Sequence, residues 1–132
     1  LYARRQRQMC IRDSCGAVRF SLTKAAPLAE AIECNCSVCT KKGVLLVPAE
    51  ETELQIEQGE DKLQLYQWRS NTAHHWFCST CGIHAFNRPR NNPERLAVNI
   101  RCLDDYWAML PGIAIKPFDG QNHPKDQAAD TG

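Results

Sequence analysis

Apolar and polar side chains alternate along much of this chain in short runs broken by turn-forming residues, the period-two pattern of half-buried β-strands. Glu53-Leu-Gln-Ile-Glu57 alternates strictly, and Ala17-Val-Arg-Phe-Ser-Leu22 and Leu63-Gln-Leu-Tyr-Gln-Trp68 read as further β-type segments. Further strands are expected at 31–34, 45–47, 74–77, 83–86 and 96–100. Gln58-Gly-Glu-Asp61 lies between two alternating runs and reads as the turn of a hairpin. No window of a dozen residues carries a helical stripe. One short helical turn is expected after Cys36 and another at 103–107, so the expected fold class is all-β.

Residues 1–14 look different: Arg- and Gln-rich, with no strand or helix period. They read as an atypical, non-core leader, leaving 15–120 as a single domain and 121–132 as a loose polar tail. A chain of 132 residues suits one hydrophobic core.

Charge changes the picture by exclusion. Lys and Arg total 16 and Asp and Glu 15, for a formal net charge of +1, and the two signs are interleaved. Such a chain has no electrostatic footprint for nucleic acid. The basic cluster Arg4, Arg5 and Arg7 reads as a solvated terminus. No apolar run nears the ~20 residues of a membrane span, and no secretory signal pattern opens the chain. The expectation is a cytoplasmic protein without membrane or nucleic-acid partners.

Eight cysteines in a chain with no export signal favour metal ligation over disulfides. Cys34-Asn-Cys36-Ser-Val-Cys39 is a C-x-C-x-x-C pattern, a turn able to aim three thiolates at one point. Zn²⁺ accepts sulfur at about 2.3 Å in a tetrahedron, and three local ligands leave one position open, as in catalytic zinc sites. Cys78-Ser-Thr-Cys81-Gly82 is half a zinc knuckle, and Cys15-Gly16 offers a further ligand with the same trailing glycine. Together these three thiols would staple distant parts of a small β-domain.

Plainer readings compete. Cys78 and Cys81 could be a redox pair, but no βαβ context is visible for one. Cys36, Cys39, Cys78 and Cys81 could form a single Cys₄ ribbon, although the stretch between the pairs exceeds the usual ~15–20 residues. Cys102, after an apolar strand, reads as a buried, inert thiol. His74 and His75 fall on opposite faces of a strand, so one should face solvent, and His84 is close enough to Cys81 to reach the second metal.

Three ordered segments carry a resemblance. Cys15-Gly-Ala-Val-Arg-Phe20, Cys34-Asn-Cys36-Ser-Val-Cys39-Thr-Lys-Lys-Gly43 and Phe77-Cys78-Ser-Thr-Cys81-Gly-Ile-His84 closely resemble the glutathione-dependent formaldehyde-activating (GFA) family, which includes centromere protein V. Asn87-Arg-Pro-Arg-Asn-Asn-Pro93 and Val98-Asn-Ile-Arg-Cys-Leu-Asp104 look like later segments of the same family, so the resemblance runs from 15 to about 120.

The resemblance implies a β-tent of stacked antiparallel sheets with two zinc sites. Cys34, Cys36 and Cys39 would hold a catalytic zinc, and Cys15, Cys78 and Cys81 a structural one. The family's fourth structural cysteine falls on Asp13 here, which leaves that position to Asp13, Cys10, His84 or water. The implied reaction is that of a carbon–sulfur lyase, joining formaldehyde to glutathione as S-hydroxymethylglutathione. Its partners would be a small-molecule thiol and an aldehyde. Zinc with three thiolates carries a net charge of −1, which opposes a fourth anion. Lys41 and Lys42, just after Cys39, are placed to offset that charge or to meet a glutathione carboxylate. The alternative function is a non-enzymatic zinc-binding protein-interaction module.

Overall fold

A computed structural model describes residues 7–67, 73–89 and 93–121. Ten strands are present among them: β1 (Arg7–Arg12), β2 (Arg19–Lys24), β3 (Glu30–Cys34), β4 (Leu46–Ala49), β5 (Leu54–Gln58), β6 (Leu63–Gln67), β7 (His74–Cys78), β8 (His84–Arg88), β9 (Leu96–Asn99) and β10 (Ala114–Phe118). Two short helices, α1 (Ser37–Lys42) and α2 (Tyr106–Met109), complete the regular structure with several single 3₁₀ turns. The strands form a three-stranded sheet, β1-β2-β5, and a seven-stranded sheet, β10-β3-β4-β9-β8-β7-β6. The all-β expectation holds. The pairing is antiparallel except at one edge, where β10 runs parallel to β3.

The core lies between the sheets. Phe20 of β2 meets Phe86 of β8 edge-on, ring centroids 5.9 Å apart, and Ile11, Val18, Leu22, Leu45, Val98 and Ile100 are at most 1% exposed. Alternation places many of these apolar residues inward, while Ser21, His75, His84, Asn87 and Asn99 are polar strand residues that are buried too. Burial of one such side chain contributes roughly 1.5–3 kcal/mol.

The leader is corrected by β1. Six residues of the segment read as non-core pair in register with β2, Arg7 opposite Lys24 through Arg12 opposite Arg19. Ile11 is fully buried and Met9 packs on the same core. Arg, Gln and Cys at the outward positions masked a strand with only two apolar inward residues. The domain therefore begins by residue 7, and 1–6 lie outside the described residues.

The hairpin at 58–61 is also corrected. β5 pairs with β2 and β6 with β7, so the turn carries the chain from one sheet to the other. Gly59 has φ +83°, and a Cβ there would overlap the Ala17 carbonyl, so only glycine fits. At the other end of the chain, β10 was hidden by Lys116 and Pro117. Proline is tolerated on an edge strand, and Pro117 sits opposite Glu33 on the sheet edge. The helix expected at 103–107 is displaced to α2, and Trp107 is 77% exposed. The tail beyond Gln121 and the end of the 63–68 strand at Trp68 lie outside the described residues.

Candidate metal centres

The first cysteine set is built by the junction of β3 and α1. Cys34 ends the strand. Cys36 is the N-cap of α1, its sulfur accepting from the Cys39 amide at 3.4 Å, and the Cys34 sulfur accepts from the Cys36 amide at 3.5 Å. A Gly43 cap in the left-handed region, φ +67°, stops the helix after little more than one turn. Such a short helix places residues i and i+3 on one face, so the sulfurs of Cys34, Cys36 and Cys39 all lie within 4.8 Å of one another.

These three thiols behave as a unit. Hydrogen bonds from the Cys34 and Cys39 thiols, with the Cys39 and Val38 amides, carry Cys36 down to about 2. The neighbouring Cys36 sulfur pushes Cys34 up, and the Cys34 and Cys36 sulfurs together with burial push Cys39 up strongly. Each sulfur thus opposes full ionisation of its neighbours. Full ionisation needs a positive charge among the sulfurs, which is the chemistry of a metal ligand set.

A strap closes one side. Residues 118–121 are laced to Asn35: its amide donates to Phe118 O at 3.1 Å, its side chain donates to Asp119 at 3.2 Å, and the Gln121 amide donates to it at 2.9 Å. Gly120 lies directly against the cysteines. Phe118 and Asp119 of this strap also line a cavity of about 530 Å³ that Cys34, Cys39 and Arg101 border.

The second set is Asp13, Cys15, Cys78 and Cys81, four ligand atoms likewise within 4.8 Å. Asp13 and Cys15 come from the β1–β2 connection and the two other cysteines from the β7–β8 turn, so the set bridges the two sheets. Gly16 and Gly82, at φ +80° and +78°, turn the backbone behind each loop. Asp13 is buried. Burial opposes its ionisation, but hydrogen bonds from Cys78, Cys15 and the Val18 and Gly16 amides outweigh that and hold its carboxyl below the usual range. Its Gly16 bond is 2.7 Å long. At Cys15 the Ala17 amide favours the thiolate, but burial and the neighbouring Asp13 and cysteines prevail and push it to about 11. The Cys15 and Cys78 sulfurs are 3.8 Å apart, the edge of a tetrahedron with ~2.3 Å zinc–sulfur bonds, about 3.8 Å. The residues fit zinc.

Among the fourth ligands left open, the geometry brings in Asp13. His84 is elsewhere: its Nδ1 lies 3.1 Å from the Lys42 ammonium and its Nε2 3.1 Å from Asn87 Oδ1. Cys10 is not in either set. The single-ribbon reading is excluded by the same geometry, because Cys36 and Cys39 fall in one set and Cys78 and Cys81 in the other. The redox-pair context is missing too, since a strand and no helix follows Cys81.

A polar cluster of Lys42, His75 and His84 lies near the α1 cysteines. Lys42 packs over Phe77 and Tyr66, 5.7 and 5.9 Å from the ring centroids, and burial lowers its pKa while the Cys39 sulfur favours its charge. His84 is drawn down to about 3 and His75 to about 4, each by burial first and the Lys42 charge second. Both imidazoles are neutral near pH 7. His75 is buried and His74 half-buried, with the His75 Nδ1 lacking a described partner. Cys102 is half-buried, pushed up to about 12 by burial, as expected of an unreactive thiol. Lys41 is exposed and, with Lys42, lines a second cavity of about 700 Å³ that includes Arg12, Asp13 and His84. The sequence reading missed Arg101, which lines both cavities; lying far from any cysteine motif, it carried no spacing signal.

The fold and its two side-chain sets define a small all-β protein with two cysteine-rich clusters that could hold metal, one local to a strand–helix junction and one bridging two sheets. The family model described as glutathione-dependent formaldehyde-activating enzyme matches residues 8–117, and the chain belongs to that family. It is also similar to a crystal structure of a Rhodobacter sphaeroides protein, at 34% identity and a TM-score of 0.72, over 82% of this chain and 100% of that one. Among the described residues no helix is long and apolar enough to cross a membrane.

Proposed function

We propose that this chain is a cytoplasmic, zinc-dependent carbon–sulfur lyase of the GFA type, with two zinc sites, that joins formaldehyde to glutathione. The observation that carries the reading is the contrast between the two sets: Asp13, Cys15, Cys78 and Cys81 offer four ligands, while Cys34, Cys36 and Cys39 offer three beside a cavity. Zinc at the three-cysteine set would supply a Lewis acid that keeps a substrate thiol ionised near neutral pH. A free thiol of pKa ~8.5 is only about 3% thiolate at pH 7.

This chain's residues do the rest. Cys34, Cys36 and Cys39 define the point at which the substrate sulfur arrives, through the cavity that Cys34, Cys39 and strap residues Phe118 and Asp119 line. Lys42, whose charge the Cys39 sulfur favours, offsets the negative charge of the cysteines, and Lys41 stands exposed beside it to meet anionic substrate. The reaction forms one carbon–sulfur bond, moves the carbonyl π pair on to oxygen and delivers to that oxygen the proton given up by the thiol. No oxidant is needed.

The test is zinc quantification with glutathione titration and formaldehyde consumption on one preparation. Two zinc ions per chain, saturable glutathione binding and a rate above the spontaneous one support the reading. Two zinc ions without glutathione binding or acceleration overturn it in favour of a zinc-stapled interaction module.

A further inference from the structure

The cavity beside Cys34 and Cys39 is electrically lopsided. Glu33 of β3 and Asp119, just past β10, contribute two carboxylates to its lining, and Arg101 is the one cationic lining residue among the described residues. The sheet order is β10-β3-β4-β9, and Arg101 follows β9. Neighbouring strands are ~4.8 Å apart, so the acidic wall and Arg101 stand on the order of 10 Å from each other. The Cys34 and Cys39 sulfurs lie on the same cavity. Acid, two of the three sulfurs and base thus border one cavity.

Arg101 is held but not neutralised. Its amide donates to Asn99 Oδ1 at 3.2 Å and its guanidinium sits 5.6 Å over the Tyr106 ring. No acidic side chain among the described residues forms an ion pair with it. A guanidinium propped on an aromatic face presents its fork of donors to an incoming planar anion.

We propose that Arg101 binds the C-terminal, glycine carboxylate of the thiol substrate, while Glu33 faces the ammonium of its γ-glutamyl end. The ligand class is a zwitterionic peptide thiol with a free terminal carboxylate, its sulfur between the two charged ends. The assignment rests on the proposed function, in that it takes the Cys34 cavity as the entry for glutathione. It differs from the placement of carboxylate recognition on Lys41 and Lys42, which line the other cavity.

Calorimetry on the zinc-loaded protein separates the possibilities. Glutathione and its glycyl monoethyl ester carry the same sulfur, and only the first has the terminal carboxylate. Wild type is expected to prefer glutathione by about tenfold or more, as a charge-assisted bidentate pair would give. Arg101→Met should erase that preference and leave ester binding unchanged, and Arg101→Lys should restore part of it. Equal weakening of both ligands by Arg101→Met would overturn the assignment and give Arg101 an architectural role through Tyr106. An unchanged preference in Arg101→Met would overturn it as well. If wild type binds neither thiol, the proposed function itself fails; if it binds both equally, only the Arg101 assignment does.

Discussion

The Cβ that Gly120 lacks would stand 2.5 Å from the Cys34 sulfur and 2.9 Å from Cys36 Cβ. No side chain fits between strap and cysteines, so the strap reads as part of the ligand set's wall. Gly120→Ala should push the strap outward, with an overpacking cost of about 1–3 kcal/mol. The expected outcome is faster zinc loss from the Cys34 set to a chelator at unchanged loss from the Asp13 set. Timed metal release with differential cysteine alkylation checks it.

The two sets should differ in what they hold together. Cys78→Ser breaks a link between sheets, whereas Cys36→Ser disturbs a local turn. Thermal melts should show the larger loss for Cys78→Ser, about 3 kcal/mol or more, because structural metal binding is coupled to folding. Equal losses would remove the structural and catalytic division.

Asp13→Asn retains the shape and removes the charge of the fourth ligand. It should lower zinc affinity at the bridging set by about 10-fold or more, while Asp13→Cys should keep it. Competition against a colorimetric chelator distinguishes the variants.

Chemistry at the Cys34 set predicts proton release. Glutathione should bind with loss of its thiol proton near neutral pH, and S-methylglutathione, which cannot ionise, should bind at least about tenfold more weakly. Cys36→Ser should abolish that difference. Calorimetry in buffers of different ionisation enthalpy reads both effects.

The buried histidines set an acid limit. His75 and His84 are held at about 4 and 3 against an ordinary 6.5, so below pH 6.5 the unfolded chain binds protons that the fold does not. Their contribution is complete above about pH 6.5 and lost as pH falls toward 4 and then 3. His75→Phe removes one such group, whose Nδ1 has no described partner to forfeit. Its stability should fall less steeply than that of wild type between pH 6.5 and 4, measured by denaturant titration.

Much of this was legible in the chain. Cys34, Cys36 and Cys39 are neighbours in sequence, so their convergence follows from one turn, and strict alternation at 53–57 located β5 without tertiary information. Where that strand pairs was not legible: a turn beside a strand reads as a hairpin, yet Gly59 passes the chain between sheets because the contact with Ala17 is long-range. Likewise β1 was hidden by its polar outward face and β10 by Pro117, and both become strands through the partners they meet. Asp13 was one of four candidates for the fourth position, and its burial with the approach of the β7–β8 turn selects it over Cys10 and His84.

Asp13 also alters what happens when the bridging site is emptied. Four thiols released together can close as two disulfides and shut the metal out. A carboxylate cannot be oxidised that way, so three thiols form at most one disulfide among themselves and always leave one sulfur over. Such a thiolate can attack the neighbouring disulfide, which gives the oxidised, metal-free loop pair a built-in exchange partner instead of a locked cross-link.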